Sequence, residues 1–87
     1  MTSNQTSVKV YGADWCPKTQ QVLEFLSKNR VPHDYINVEL DPAASAWVKR
    51  QNHGKEIKPT LDIGGKVLAE PSTAELREAL KNVGVAA

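Results

Sequence analysis

The sequence predicts an α/β domain with the element order βαβαββα, in which a central four-stranded mixed sheet is flanked by three helices. Three observations lead to this fold class. Short apolar runs typical of strands alternate with longer amphipathic segments of helical periodicity. Two runs between residues 60 and 68 are separated by a Gly-Gly pair, which indicates a β-hairpin. The first helix connects two strands as a crossover, which implies a right-handed parallel pair.

The first strand is predicted over residues 8–11 and is ended by Gly12. Because proline suits the first position of a helix, Cys16-Pro17 marks the start of a helix over residues 17–28. The buried stripe of this helix consists of apolar residues at helical spacing, which are Val22, Leu23 and Leu26, with Phe25 beside them.

The second strand is predicted over residues 35–38. Asp41-Pro42 combines a cap residue with a proline and opens a second helix that runs to about residue 52. Gly54 lies just past that end, where a glycine is expected. One face of the helix carries its larger and apolar side chains, which are Ala44, Trp47, Val48 and Gln51.

Strands at residues 60–63 and 66–68 flank the Gly-Gly turn of the hairpin. The last helix is predicted to begin at Pro71-Ser72. Ser72 and Glu75 have the spacing of a capping box, in which each side chain bonds a free backbone N–H near the other residue. The buried stripe of this helix is formed by Leu76, Ala79, Leu80 and Val83.

At 87 residues the chain has room for one domain, predicted over residues 7–83, with a disordered tail at 1–6 and a frayed end at 84–87. The net charge of +1 creates no strong field toward nucleic acid or an anionic membrane. No apolar run approaches the roughly 20 residues needed to span a bilayer, and the polar N-terminus lacks the apolar region of a signal peptide. We therefore predict a cytoplasmic monomer with no nucleic-acid or membrane partner.

The chain contains one cysteine. This excludes a scaffold held by disulfides and a Cys-rich zinc site. His33 and His53 lie in separate segments without the spacing of metal ligands, and both are interpreted as surface or strand-edge residues. No metal site is predicted.

Cys16 lies between the end of the first strand and the start of the first helix. The first backbone N–H groups of a helix lack partners and carry partial positive charge, so they stabilise a thiolate. Such positions lower the pKa of cysteine from about 8.5 into the ~3.5–7.5 range. We expect Lys18 to lower it further and an inward-pointing Asp14 to oppose this effect. The neighbours Trp15 and Lys18 favour an accessible, reactive sulfur over a small buried side chain.

The segment Trp15-Cys16-Pro17-Lys18-Thr19 resembles the active-site motif of the glutaredoxin family, and Lys58-Pro59-Thr60 resembles the loop with that family's cis-proline. The resemblance covers about residues 7–83 and implies a thioredoxin-like fold. Residues 47–72 are similar to the mycoredoxin-like members of actinobacteria, which have an Asn-Gly-rich segment before the proline and a Pro-Ser pair at the last helix. The matching residues here are Gln51-Asn52-His53-Gly54 and Pro71-Ser72.

The resemblance implies a thiol–disulfide oxidoreductase acting in bacterial redox homeostasis. Cys16 would be the nucleophile that takes a small thiol from a protein mixed disulfide, and a second small thiol would release it. Pro59, if cis, would present the backbone of Lys58 to the substrate; a trans Pro59 that only ends a loop is the alternative. The resemblance assigns Thr19 to the catalytic site and assigns contacts with the thiol substrate to Trp15, Pro17, Lys18, Lys58, Pro59, Ser72 and Thr73.

Three departures from the family pattern bear on the mechanism. Thr19 replaces the second cysteine; its hydroxyl can donate to the Cys16 sulfur but cannot form a disulfide, which leaves a monothiol mechanism. Ala13 occupies the place of a lysine that binds the glycine carboxylate of glutathione. The Gly-Gly-x-Asp cluster that binds its glutamyl end is not apparent at Glu70-Pro71-Ser72. The resemblance implies glutathione or a mycothiol-like thiol as cosubstrate, another thiol or a dedicated protein partner stays open, and no bound cofactor is predicted.

Two further functions stay open at this point. Some monothiol relatives bridge a [2Fe–2S] cluster between two chains, although Pro17 stiffens the loop and disfavours this role. A redox-silent binding module of the same fold would also fit the loss of the second cysteine.

Trp47 is interpreted as a core residue and Trp15 as an exposed residue that can contact a partner. Basic residues near Pro59 are either solvated surface or partners for a substrate carboxylate; they are Lys49, Arg50, Lys55 and Lys58.

Overall fold

The computed structural model describes residues 8–84 and confirms the predicted order of elements. The seven elements are β1 (Val8–Gly12), α1 (Pro17–Lys28), β2 (Asp34–Asn37), α2 (Pro42–Gln51), β3 (Thr60–Ile63), β4 (Lys66–Ala69) and α3 (Thr73–Asn82). The predicted tail at residues 1–6 lies outside the described residues, as do residue 7 and residues 85–87.

The four strands form one mixed sheet in the order β2-β1-β3-β4. The β1–β2 pair is parallel, as the crossover through α1 predicts, and the β1–β3 and β3–β4 pairs are antiparallel. In this register Tyr11 lies between Ile36 and Thr60. The loop after β1 and the loop before β3 therefore meet at the same end of these two strands, which brings Cys16 next to Lys58.

Two apolar clusters lie on opposite faces of the sheet. Side-chain alternation along β1 sends Val8 and Val10 to the larger cluster and Tyr11 to the smaller one. Trp47 packs against the smaller cluster, as predicted, and its ring stacks on Tyr11 with the centroids 4.5 Å apart. The larger cluster, between the sheet and helices α1 and α3, also contains Val22, Leu26, Val31, Leu61, Ile63, Leu76, Ala79 and Leu80.

The predicted helix caps are confirmed. Asp41 Oδ1 accepts a hydrogen bond from the backbone N–H of Ala44 at 3.1 Å, at the start of α2. Ser72 and Glu75 form a complete capping box at the start of α3, with reciprocal distances of 3.1 and 2.8 Å. These bonds satisfy N–H groups that the first turn of each helix would otherwise leave free.

Several predicted boundaries are wrong by one or two residues. Gly12 is the last residue of β1, where it pairs with Asn37, instead of lying just past the strand. The strand β2 spans residues 34–37 instead of 35–38. The helix α2 ends one residue earlier than predicted, and Gln51 at its end is exposed.

The C-terminal elements also differ slightly from the prediction. The strand β4 extends to Ala69, and α3 begins at Thr73 because Ser72 caps the helix and Pro71 precedes it. Within residues 8–84, no helix has the length and apolar character needed to cross a membrane.

Candidate active site

Cys16 is the N-cap residue of α1 and links the tight turn after β1 to the helix. Its backbone N–H donates to the Ala13 carbonyl at 3.1 Å, and its own carbonyl accepts from the Gln20 N–H at 3.1 Å. Pro17 occupies the first turn, where no intrahelical partner for an N–H is required. The chain therefore places the sulfur at the positive end of the helix dipole, as the sequence predicts.

The prediction of an accessible sulfur is wrong in one respect, since Cys16 is only 7% exposed. The loop before β3 covers the sulfur, and the carbonyl oxygen of Lys58 lies 3.9 Å from Sγ. Neither of the core clusters described above includes Cys16, and the adjacent Trp15 and Pro17 are exposed. Cys16 therefore lies at the rim of the fold, beneath a loop.

The surroundings of Cys16 favour its thiolate. Burial raises the pKa of the thiol, but hydrogen bonds from the hydroxyl and backbone N–H of Thr19 and from the N–H of Lys18 oppose this effect. The positive charge of Lys58 acts in the same direction, and the pKa of Cys16 is lowered overall. Three donors and one cation thus outweigh the desolvation of the sulfur.

Thr19 is fully buried one helical turn after Cys16. Its Oγ1 accepts a long hydrogen bond from the Ala13 N–H at 3.5 Å. A Cβ atom at Gly12 would lie 2.5 Å from Oγ1 and 2.6 Å from Cγ2 of Thr19, so the end of β1 must lack a side chain. The sequence predicts Gly12 only as a strand breaker and gives no local signal for this close approach.

The side chain of Lys58 is held in a polar cluster on one side of Cys16. Lys58 Nζ lies 3.1 Å from Glu56 Oε1 and 3.6 Å from Glu39 Oε2, and the side chain is only 17% exposed. The ammonium also lies 5.2 Å from the ring centroid of Trp15, whose Nε1 donates to Glu39 Oε2 at 2.8 Å. Ser45 Oγ in turn donates to Glu56. We call Trp15, Glu39, Glu56 and Lys58 the lysine cluster.

The contacts within the lysine cluster favour the charged forms of Lys58 and Glu56. The hydrogen bond with Glu56 outweighs burial and raises the pKa of Lys58. Hydrogen bonds from Ser45 and then Lys58 lower the pKa of Glu56. Glu39 and Glu56 carry no signal in the sequence, because neither lies in a motif and only the folded chain brings them to Lys58.

A groove of about 380 Å³ lies on the other side of the site, between α1, the Pro59 loop and the start of α3. Four of the residues predicted to contact the thiol substrate line it, which are Lys18, Pro59, Ser72 and Thr73. Of the remaining three, Trp15 and Lys58 lie in the lysine cluster and Pro17 is exposed at the helix start. Lining residues that the sequence analysis missed include Gln21, Phe25, Glu70 and Glu75.

Lys18 lowers the pKa of Cys16, as predicted, and the group that does so is its backbone N–H. Its Nζ pairs with Glu70 Oε2 at 3.5 Å. The inward-pointing carboxylate that would oppose the thiolate is not found at Asp14, because this residue is exposed and its Oδ1 accepts a hydrogen bond of 2.6 Å from the Tyr35 hydroxyl. Burial, followed by Asp14, raises the pKa of Tyr35.

The other basic and histidine residues named in the sequence analysis are exposed or half-buried. Lys49, Arg50 and Lys55 are exposed. His53 is exposed, and His33 is half-buried at the edge of β2, with Nδ1 2.8 Å from the Val31 carbonyl oxygen. Over residues 8–84, no group of three or more His, Cys, Asp or Glu side chains is arranged to hold a metal ion.

The peptide bond between Lys58 and Pro59 is cis, and the alternative of a trans Pro59 is therefore wrong.

Comparisons with known proteins agree with this geometry. The glutaredoxin family model matches residues 8–68. Mycoredoxin 1 from Corynebacterium glutamicum is 35% identical over 72 residues, which cover 82% of this chain and 89% of that protein. The structure of the thioredoxin-like protein BC3987 superposes with a TM-score of 0.75 at 30% identity, over 84% of this chain and 99% of that chain. A glutaredoxin from Archaeoglobus fulgidus shares the fold, with a TM-score of 0.71, 22% identity and 85% coverage of both chains.

Proposed function

Because the chain belongs to the glutaredoxin family of thiol–disulfide oxidoreductases, we propose that it reduces mixed disulfides between proteins and a low-molecular-weight thiol through Cys16 alone. The observation that carries this proposal is the set of donors around one sulfur. Thr19 and the first N–H groups of α1 favour the thiolate, and a threonine stands where a second cysteine would be needed for a dithiol mechanism.

In the first step, the Cys16 thiolate attacks the small-thiol sulfur of the mixed disulfide. A disulfide forms between Cys16 and the small thiol, the original S–S bond breaks, and the protein sulfur leaves as a thiolate that takes a proton from water. Attack depends on the fraction of Cys16 that is ionised, so the hydroxyl of Thr19 and the charge of Lys58 both support this step.

In the second step, the thiolate of a second small thiol attacks the small-thiol sulfur held on Cys16. The two small thiols leave as their disulfide, and Cys16 is released as a thiolate. One free small thiol is thus consumed for each protein thiol released, and its sulfur is oxidised to the disulfide level as the protein sulfur is reduced. A low pKa also makes Cys16 a good leaving group. Thr19 cannot form the intramolecular disulfide that a second cysteine would allow.

We assign the two halves of the substrate to the two sides of Cys16. The small thiol would lie in the groove lined by Lys18, Pro59, Ser72 and Thr73. The protein half would lie toward the lysine cluster, where Trp15 is 62% exposed and offers an apolar contact surface. The backbone of Lys58 lies between these two sides and is near enough to the sulfur to pair with an extended substrate.

The test is a turnover assay on a peptide mixed disulfide, with glutathione, mycothiol or bacillithiol as the recycling thiol. Wild type should turn over with at least one of these thiols, and Cys16→Ser should lose all activity. Thr19→Ser, which keeps a hydroxyl near the sulfur, is the matched control and should stay active. Equal activity of Cys16→Ser and wild type would show that Cys16 is not the nucleophile. Binding of the mixed disulfide without any turnover in wild type would favour a redox-silent module instead.

A further inference from the structure

The groove beside Cys16 contains two carboxylates of its own. Its charged lining residues are Lys18, Glu70 and Glu75, so acidic groups outnumber basic ones. Glu70 Oε2 lies 3.5 Å from Lys18 Nζ. Glu75 Oε1 accepts a hydrogen bond of 2.8 Å from the Ser72 N–H. The chain therefore already pairs the Lys18 ammonium and the Ser72 N–H, two groups that an incoming carboxylate could otherwise use.

The backbone fixes Glu70 at this place. Its N–H donates to the Pro59 carbonyl at 2.8 Å, which ties the residue to the loop that covers Cys16. Its φ angle of 46° lies in the left-handed region that favours glycine, so a glutamate is held here against its conformational preference. Glu75 is equally fixed, because its side chain is half of the capping box of α3.

We propose that Glu70 and Glu75 make the groove disfavour thiols that carry carboxylates, so that an uncharged small thiol is preferred here. This inference rests on the function proposed above and names the substrate class of the same site. A carboxylate entering the groove must displace one of these glutamates or lie beside it, and unfavourable pairings of like charge are an established source of specificity. A neutral thiol with hydroxyl or amide groups meets no such repulsion.

The size of the effect follows from exposure. The side chains of Lys18 and Glu70 are 64% and 45% exposed, so solvent screens their interaction. Exposed charges of this kind interact with a small free energy. We therefore expect each glutamate to lower the rate or affinity for a thiol with a carboxylate about two- to fivefold. The selectivity is therefore a preference between thiols and leaves slow turnover with an anionic one.

The test uses two thiols that differ only in the carboxylate, N-acetylcysteine and N-acetylcysteine amide. The value of kcat/KM for each thiol is measured in the peptide mixed-disulfide assay and divided by the wild-type value, so that differences in intrinsic reactivity cancel. Glu70→Gln and Glu75→Gln should each raise kcat/KM for N-acetylcysteine about two- to fivefold and leave the amide unchanged. Glutamine at position 75 keeps an oxygen for the Ser72 N–H, which preserves the capping box.

Glu78→Gln is the matched control, because Glu78 is an exposed residue of α3 that is absent from the groove lining. It should change kcat/KM for neither thiol. The inference is overturned if the groove variants do not distinguish the two thiols, or if Glu78→Gln produces the same gain as they do. The proposed function fails separately, through retention of turnover in Cys16→Ser with the neutral thiol, whatever the glutamate variants do.

Discussion

Lys58 acts on Cys16 through both its backbone and its side chain. Its carbonyl oxygen lies 3.9 Å from the Cys16 sulfur, and its ammonium charge lowers the pKa of the thiol. Glu56 and Glu39 hold that ammonium at 3.1 and 3.6 Å, close to the ring of Trp15. The state of the nucleophile therefore depends on the loop before β3 as well as on the start of α1.

Replacing Lys58 by glutamine should raise the pKa of Cys16, because the thiolate loses a nearby positive charge. The measurement is the rate of alkylation by iodoacetamide as a function of pH, whose midpoint reports the pKa. Lys55→Gln removes an exposed charge from the same loop and serves as the control, with an unchanged midpoint. A midpoint that does not move in Lys58→Gln would remove the side chain of Lys58 from the mechanism.

Thr19→Val should also raise the pKa of Cys16, because it deletes the hydroxyl that donates to the sulfur while keeping a similar shape. The loss of this buried hydrogen-bonding group should destabilise the fold by about 1 kcal/mol, as measured by urea denaturation. Thr19→Ser retains the hydroxyl and should react with iodoacetamide at close to the wild-type rate. If the valine variant reacts as fast as wild type at neutral pH, the hydroxyl does not support the thiolate.

Gly12→Ala should destabilise the fold by about 1–3 kcal/mol, because the added methyl group would overlap the buried side chain of Thr19. Thermal and urea denaturation measure this change. Adding Thr19→Ala removes both atoms closest to the new Cβ, so the double variant should be more stable than the sum of the two single effects predicts. Strict additivity would show that the two residues do not contact each other.

The lowered pKa of Cys16 also links stability to pH. A group whose folded-state pKa lies below its unfolded value contributes stability above the unfolded pKa and loses it as pH falls through the folded pKa. The unfolded value is about 8.5. The difference in unfolding free energy between wild type and Cys16→Ser should therefore grow in favour of wild type as pH rises between the two values. Urea denaturation across that range gives this difference, and a constant difference would be inconsistent with a stabilised thiolate.

Local signals predicted the positions of the helices well, because the groups that start a helix are neighbours in sequence. Pro17 and the Ser72–Glu75 pair act within one turn, and the structure places α1 and α3 beside them. The lysine cluster could not be predicted in this way, because Glu39 follows β2 and Lys58 precedes β3. Their contact exists only after the strand order is set.

The burial of Cys16 was equally hidden from local signals. Its exposed neighbours suggested an open sulfur, whereas the residue that covers it is 42 positions away along the chain, at Lys58. The close approach of Gly12 and Thr19 likewise depends on the angle at which α1 leaves the sheet. Packing of this kind requires the folded chain, even where the motif itself is plain in the sequence.

The thiolate at Cys16 is tested most directly by the pH dependence of its alkylation in the wild-type protein, with Cys16→Ser as the blank. The donors from Thr19 and Lys18 and the charge of Lys58 predict a midpoint below that of an unperturbed cysteine, which is about 8.5. A midpoint at or above that value would mean that burial dominates the environment of the sulfur, and it would contradict the assignment of Cys16 as an activated nucleophile.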